Sequence, residues 1–274
     1  MTWSGTRPQK LMRLARTLCT NPLLVTRALP GEARQWYQWH RGRDRPNLVV
    51  DQNWDQHLHQ LLAAPWPCPH DRALRQLLRD IEAILGSQGW AFGSDTYAWY
   101  ADGDTSLCRA AWCTTLHARP EVVVETGVAH GVTSRVILEA LACNQAGHLW
   151  SIDLPFPFDQ RLHRETGFVV TGPCRQRWSY LNGSSRQRLP VLTAKLGRIG
   201  LFVHDSLHTA ANTLFEMEQV ASAMLPGGVM LVDDIDTHLG FEIFARRHSE
   251  YQTIICPSAD RQGLFGIAVR TPDL

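Results

Sequence analysis

The stretch EVVVETGVAHGVTS, residues 121–134, decides the fold: a β-branched run breaks into a glycine turn and restarts as a helix. Val122, Val123 and Val124 suit a strand covered on both faces. Gly127 and Gly131 bracket a turn in which the backbone is free to approach a ligand closely. Glu125 closes the strand with a carboxylate. Beyond the turn, Thr133 or Ser134 is placed to cap a helix whose apolar positions, Val136, Ile137, Leu138 and Leu141, recur at helical spacing. Strand, glycine turn and helix in this order hold nucleotide-shaped ligands.

Several folds use such a turn, and the residues around it separate them. A Walker loop requires Gly-Lys-Ser/Thr after the second glycine, whereas Gly131 is followed by Val132 and Thr133. The fingerprint G-x-G-x-x-G is also missing, since three residues separate Gly127 from Gly131 and no third glycine follows nearby. An acidic strand end before G-x-x-x-G is the pattern of S-adenosylmethionine sites, with the carboxylate at the aminoacyl end and the glycines making room for the nucleoside. Glu125, Gly127, Gly131, Thr133 and Ser134 are therefore candidate cofactor contacts.

Working outward, residues from 121 onward alternate between strand-like and helix-like segments, as in a parallel sheet wrapped by helices. Strands are expected near 121–126, 148–153, 177–181, 199–204 and 228–233, and helices near 132–144, 157–165, 185–196 and 209–224. The ending differs: YQTIICP (251–257) and GLFGIAVRT (263–271) are separated by a short polar loop and can pair as an antiparallel hairpin. A parallel sheet closed by a hairpin is the class I methyltransferase topology rather than the plain dinucleotide fold. The fold class is thus α/β, a Rossmann-like sheet with an antiparallel hairpin at its end. Residues 119–274 form the S-adenosylmethionine-binding domain and 1–118 an N-terminal helical extension. In that extension, QKLMRLARTLC (9–19) reads as a basic amphipathic helix, a second helix carries Leu58, Leu61 and Leu62 and ends before Pro65, Pro67 and Pro69, and a third runs from Asp71 to Leu85. Eight of the ten tryptophans precede residue 121. Their expected role is to pack this cap onto the sheet, the alternative being that some line an acceptor pocket.

The chain has 274 residues, 44% of them hydrophobic, enough for a substantial core, and its net charge of +1 lends no support to nucleic-acid binding. Seven cysteines lie scattered without a CxxC pair, which points to reduced buried thiols and a cytoplasmic setting. No apolar run approaches the roughly 20 residues of a membrane helix, and the start lacks the succession of a signal peptide. Composition leaves a homo-oligomer open.

The residues that carry chemistry fall at strand ends. Asp153, in HLWSIDLP, is spaced to meet both hydroxyls of a ribose, a role shared with nicotinamide folds. Ser184 and Ser185, in LNGSS, either contact an adenine edge or cap a helix. LFVHDSLH places Asp205 just past one strand, and GGVMLVDDID places Asp233 and Asp234 just past the next. Carboxyl ends of adjacent parallel strands converge on one crevice, so these carboxylates should meet beside the cofactor. Three carboxylates together repel unless a cation neutralises them, and hard oxygen donors suit Mg²⁺; the competing reading is a helix cap or arginine pairing. His208, three residues after Asp205, is the candidate general base. His204-Asp-Ser-Leu-His208 imitates a zinc-protease signature, but that needs both histidines on one helix face, and His204 closes a strand.

Together, VVETGVAHGVTS, WSIDLP, FVHDSLHT and LPGGVMLVDDI, in this order, resemble the class I S-adenosylmethionine-dependent methyltransferases over residues 104–270. The closest likeness is to the metal-dependent small-molecule and sugar O-methyltransferase branch, methyltransferase family 24-like, which holds antibiotic-sugar and macrolide-sugar enzymes. The resemblance implies S-adenosylmethionine and Mg²⁺ as cofactors, Asp205, Asp233 and Asp234 as metal ligands, Asp205 and His208 as catalytic residues, and a small-molecule acceptor with neighbouring hydroxyls. Two other classes remain at this point: an NAD- or nucleotide-sugar-binding enzyme on a related fold, and a non-catalytic S-adenosylmethionine-binding protein.

Overall fold

A computed structural model of the chain describes residues 46–90, 95–97, 100–101, 103–155, 160–259 and 263–271. The helix expected at 9–19 lies outside them, as do Trp3, Trp36, Trp39 and Trp99. Three helices come first, α1 (Trp54–Leu61), α2 (Asp71–Gly86) and α3 (Thr105–Ala118), with a small pair of strands, β1 (Asp95–Tyr97) and β2 (Tyr100–Ala101), between the last two. The alternating part follows as β3 (Val122–Thr126), α4 (Val132–Asn144), β4 (His148–Asp153), α5 (Gln160–Glu165), β5 (Trp178–Asn182), α6 (Ser185–Leu196), β6 (Ile199–His204), α7 (Ala210–Ala221) and β7 (Met224–Val232). Helix α8 (Gly240–Arg247) leads into the hairpin of β8 (Tyr251–Pro257) and β9 (Leu264–Arg270).

The large sheet has the order β5-β4-β3-β6-β7-β9-β8. Strands β3 to β7 are parallel, and β9 inserts antiparallel between β7 and β8. The order reverses direction at β3, whose neighbours are β4 on one side and β6 on the other, which opens a crevice at the carboxyl edge. Register levels that edge: Thr126 pairs with Ile152 and with His204, and His204 with Val232.

Both faces of the sheet are covered, which is why its strands read as continuous apolar runs. Val123, Leu149, Leu201, Val203, Leu231 and Ile267 point to a core shared with α1, α2, α3 and α4. Val124, Ile152, Phe202, Met230 and Ala268 point the other way, to a core shared with α6, α7 and α8. Of the cap tryptophans that the structure describes, Trp54, Trp90 and Trp112 pack inward, whereas Trp66 is exposed. Trp54 and Trp112 are buried, with Trp54 edge-on to Phe265 at 5.2 Å, and Trp90 stacks on His130 at 4.1 Å. Among the described residues, no helix is long and apolar enough to cross a membrane.

Strand β7 and helix α3 depart from the sequence reading, and β1, β2 and α8 were not expected from it. Strand β7 begins at Met224 rather than near 228, because Ile199 pairs with Met224 before a register shift at the Pro-Gly-Gly segment. Helix α3 carried no legible stripe, since Leu107, Cys108, Ala110, Ala111, Trp112, Cys113 and Leu116 are buried around most of its circumference. Phe265 joins the cap to the sheet from near the start of β9, and Phe265→Ala should cost about 3–5 kcal/mol in urea unfolding. A loss under about 1 kcal/mol would mean the cap is not held through this contact.

Candidate active site

The turn after β3 is shaped by contacts that no side chain could share. Gly127 has φ +86°, and a Cβ added there would lie 1.8 Å from the carbonyl oxygen of Asp205. The two strand ends are thereby brought backbone to backbone, and the Asp205 N–H donates to the Thr126 carbonyl at 2.8 Å. Gly131, φ +90°, is itself the N-cap of α4, and its added Cβ would stand 3.0 Å from Gly167 Cα. The expected cap role of Thr133 or Ser134 is therefore corrected: both lie inside the first turn, beyond the capping position.

Those two side chains, and Glu125 with them, turn inward. Thr133 Oγ1 lies 4.0 Å from Cys108 Sγ on α3. Glu125 is 1% exposed and accepts hydrogen bonds from Ser134 Oγ at 2.5 Å and Ser151 Oγ at 2.6 Å, while Trp178 Nε1 donates to Ser151 Oγ at 2.9 Å. Burial pushes the Glu125 carboxyl up to about 8. The carboxylate expected at the aminoacyl end of a cofactor thus serves, in this structure, to tie β3 and β4 to the first turn of α4. Asp153 sits at the edge as expected, its Oδ2 accepting from the N–H groups of Val128 and Ala129 at 3.1 and 3.2 Å. Burial pushes it up to about 6. Ser184 is the N-cap of α6, with no capping bond from its own hydroxyl.

At the next two strand ends the carboxylates do converge. Donor atoms of Asp205, His208 and Asp233 all lie within 4.8 Å of one another. Asp234 is placed differently: at φ +53° it occupies the left-handed region, which Asp tolerates better than most residues, and its Oδ2 meets His208 Nδ1 at 2.8 Å. His208 Nε2 faces Asp205 Oδ1 at 3.4 Å and is buried without a hydrogen-bond partner. Burial opposes a charge on His208, but Asp234 and Asp205 outweigh it and hold the imidazole well above its ordinary range. Burial, then Asp205 and Asp234, push the Asp233 carboxyl well above the usual carboxylate range. Two crowded carboxylates, Asp205 and Asp233, are oxygen donors that fit a hard divalent cation, with His208 beside them oriented by Asp234.

Beneath this crevice lies a polar network that spacing did not announce. Glu216 of α7 is 0% exposed and accepts from Thr126 Oγ1 at 2.5 Å, Asn212 Nδ2 at 2.8 Å and Ser206 Oγ at 2.9 Å. His204 Nδ1 lies 2.6 Å from Glu216, and its Nε2 reaches Thr213, which in turn contacts His238 Nε2 at 3.1 Å. Burial pushes Glu216 up, yet His204 outweighs it and brings the carboxyl down to about 2. His204 is thereby engaged by Glu216 from the end of β6, as its exclusion from a zinc signature requires. The only sequence signal for this network was an acidic residue on the buried side of an otherwise apolar helix.

An open α/β sheet of this strand order, with a glycine turn at the switch point and acidic strand ends around it, defines the class I methyltransferase fold. A family model described as a methyltransferase domain matches residues 124–235, from within β3 to just past β7. The chain has the class I methyltransferase fold, and over residues 124–235 it is similar to a methyltransferase domain. No curated protein sequence matches it. Among solved structures, a Klebsiella pneumoniae protein described as an O-methyltransferase aligns with TM-score 0.54 at 12% identity, over 80% of this chain and 96% of its own. The O-methyltransferase from Bacillus cereus, in complex with SAH, aligns with TM-score 0.52 at 12% identity, over 80% of this chain and 97% of its own. TomG of Streptomyces achromogenes, an O-methyltransferase involved in tomaymycin synthesis and bound to SAM, aligns with TM-score 0.52 at 14% identity, over 82% of this chain and 100% of its own. At these identities the likeness is one of fold.

The two buried glutamates impose opposite pH dependences. Glu125, raised from 4.5 to about 8, stays protonated when folded, so its contribution is full below 4.5 and is lost as pH rises toward 8. Glu216, lowered from 4.5 to about 2, contributes above 4.5 and loses that contribution as pH falls toward 2. Urea titrations from pH 4.5 to 8 should show Glu125→Gln declining less than wild type, and parallel curves would refute the assignment. Glu216→Gln should cost about 1–3 kcal/mol at neutral pH, because it removes the carboxylate that the Thr126, Ser206 and Asn212 donors share.

Proposed function

We propose that the protein transfers a methyl group from S-adenosylmethionine to a hydroxyl oxygen of a small molecule with neighbouring hydroxyls, a sugar or glycoside, with Mg²⁺ assisting. The observation that carries this reading is the meeting of Asp205, His208 and Asp233 at the strand ends beside Gly127. The SAH and SAM held by the two fold neighbours support the choice of cofactor.

S-adenosylmethionine, when bound, supplies a methyl group already activated by its sulfonium, the carbon–sulfur bond breaking as a carbon–oxygen bond forms. The protein's task is mainly alignment. Gly127 and Gly131 leave the turn open to the nucleoside, and Asp153 is the acidic group at the second strand end that takes the ribose hydroxyls. Asp205 and Asp233 would hold a hard cation such as Mg²⁺, whose charge would lower the pKa of an acceptor hydroxyl and favour acceptors with a second oxygen alongside. Asp234 receives the His208 Nδ1 proton in a hydrogen bond, and a cation on Asp205 and Asp233 would offset the carboxylate charge that holds the imidazole protonated, freeing Nε2 to take the proton of the acceptor hydroxyl.

Purified protein incubated with methyl-labelled S-adenosylmethionine and a panel of hydroxylated sugars and phenols should label an acceptor. EDTA should stop the transfer and Mg²⁺ restore it. His208→Ala should lower kcat by about 10²–10⁴-fold while calorimetry shows S-adenosylmethionine still bound. Asp205→Ala should lower it at least as far. Undiminished turnover in either variant, or indifference to EDTA, would remove the cation-and-base mechanism.

A further inference from the structure

A second cluster of metal-binding side chains lies in the helical cap, away from the crevice. His59 on α1, Cys68 in the loop before α2, and Cys113 on α3 place donor atoms within 4.8 Å of one another, and all three residues are buried. His117, one helical turn beyond Cys113 and on the same face of α3, brings its Nε2 to 3.6 Å from Cys68 Sγ. The two sulfurs are 3.6 Å apart, and both cysteines are free thiols.

We infer that His59, Cys68, Cys113 and His117 form a tetrahedral zinc site that staples α1, the loop before α2 and α3 together. The donor set, two thiols and two imidazoles, is that of structural zinc centres. Two distances fit as well, Cys68 Sγ to Cys113 Sγ and Cys68 Sγ to His117 Nε2, both 3.6 Å. With Zn–S near 2.3 Å and Zn–N near 2.05 Å at tetrahedral angles, two sulfurs sit about 3.8 Å apart, and a sulfur and a nitrogen about 3.6 Å.

An independent observation is the state of His59. It is 1% exposed, and its Nδ1 lies 2.6 Å from the Asp55 carbonyl, to which it donates. That bond fixes the tautomer and leaves Nε2 as a lone-pair donor, buried and without a hydrogen-bond partner. A buried imidazole nitrogen of this kind costs free energy unless something accepts its lone pair. Metal-bound histidines are oriented by just such a carbonyl on the other nitrogen. The backbone of His70 also hydrogen-bonds Cys68, as expected around a thiolate ligand. Zinc binding releases the two thiol protons to solvent. The site is structural, because all four donor positions come from the protein and none remains open for substrate.

The test uses the full chain, expressed with zinc in the medium, purified without chelator and with any histidine tag removed. Elemental analysis should find about one zinc per chain in wild type and in Asp205→Ala. Cys113→Ser and His117→Ala should lose it and melt at a lower temperature. Should those variants fail to fold, Co²⁺ exchange into wild type provides the readout: the intense visible bands of tetrahedral cobalt with a sulfur-to-cobalt charge-transfer band. Folded wild type without metal and with both thiols open to alkylation, a Cys68–Cys113 disulfide in the intact mass, or iron or copper in place of zinc would each overturn the assignment.

Discussion

The carboxyl edge of the sheet depends on the space left by one absent Cβ. At Gly127 the chain passes so near the Asp205 carbonyl that any side chain would overlap it. That approach sets how far the end of β6 stands from the turn after β3. Asp205 and His208 follow from β6, and Asp233 from β7 through the pairing of His204 with Val232. A substitution at Gly127 would therefore act on the carboxylates as well as on the turn, although no residue of the turn touches them through a side chain.

Two buried glutamates stabilise this edge by opposite means. Glu125 is held as an acid among hydroxyls, so its site is neutral and local. Glu216 is held as an anion against His204, in a network that runs from β3 through β6 to His238. The first fastens the cofactor turn to its helix, and the second fixes the floor under the carboxylates. The separation keeps the strong field of the Glu216 pair on the β6 side, while the turn rests on a group without charge at neutral pH.

Strand positions were legible because a parallel strand buried on both faces leaves an apolar run in the sequence, and helix positions where one face meets solvent. Helix α3 escaped for the reason that makes β3 obvious: Leu107 to Leu116 are buried on nearly every side, so no period survives. Within the site, Asp153, Asp205, Asp233 and His208 could be placed, since strand ends in a parallel sheet share an edge. The direction in which a side chain points was harder to read. Glu125 and Ser134 stand where a ligand contact was expected, yet bond to each other, because β3 places Glu125 under the helix rather than over the edge. Asp234 differs from Asp233 only through a left-handed backbone that neighbouring residues impose. His59 and Cys68 lie far in sequence from Cys113 and His117, so only the packing of α1 and the loop before α2 against α3 brings them together.

The insertion of β9 between β7 and β8 bears on how the chain reaches this state. Trp54, in the first described helix, rests against Phe265 in the last strand, and the Asp51 N–H donates to the Ile255 carbonyl. Neither early segment has its partner until about 200 residues further along the chain have been made. Such long-range closure slows folding, and an unfinished chain exposes the apolar wall of α1 and β7 until the final strand arrives. Synthesis itself thus becomes the interval in which this protein is most open to aggregation, and chaperone occupancy would be concentrated there.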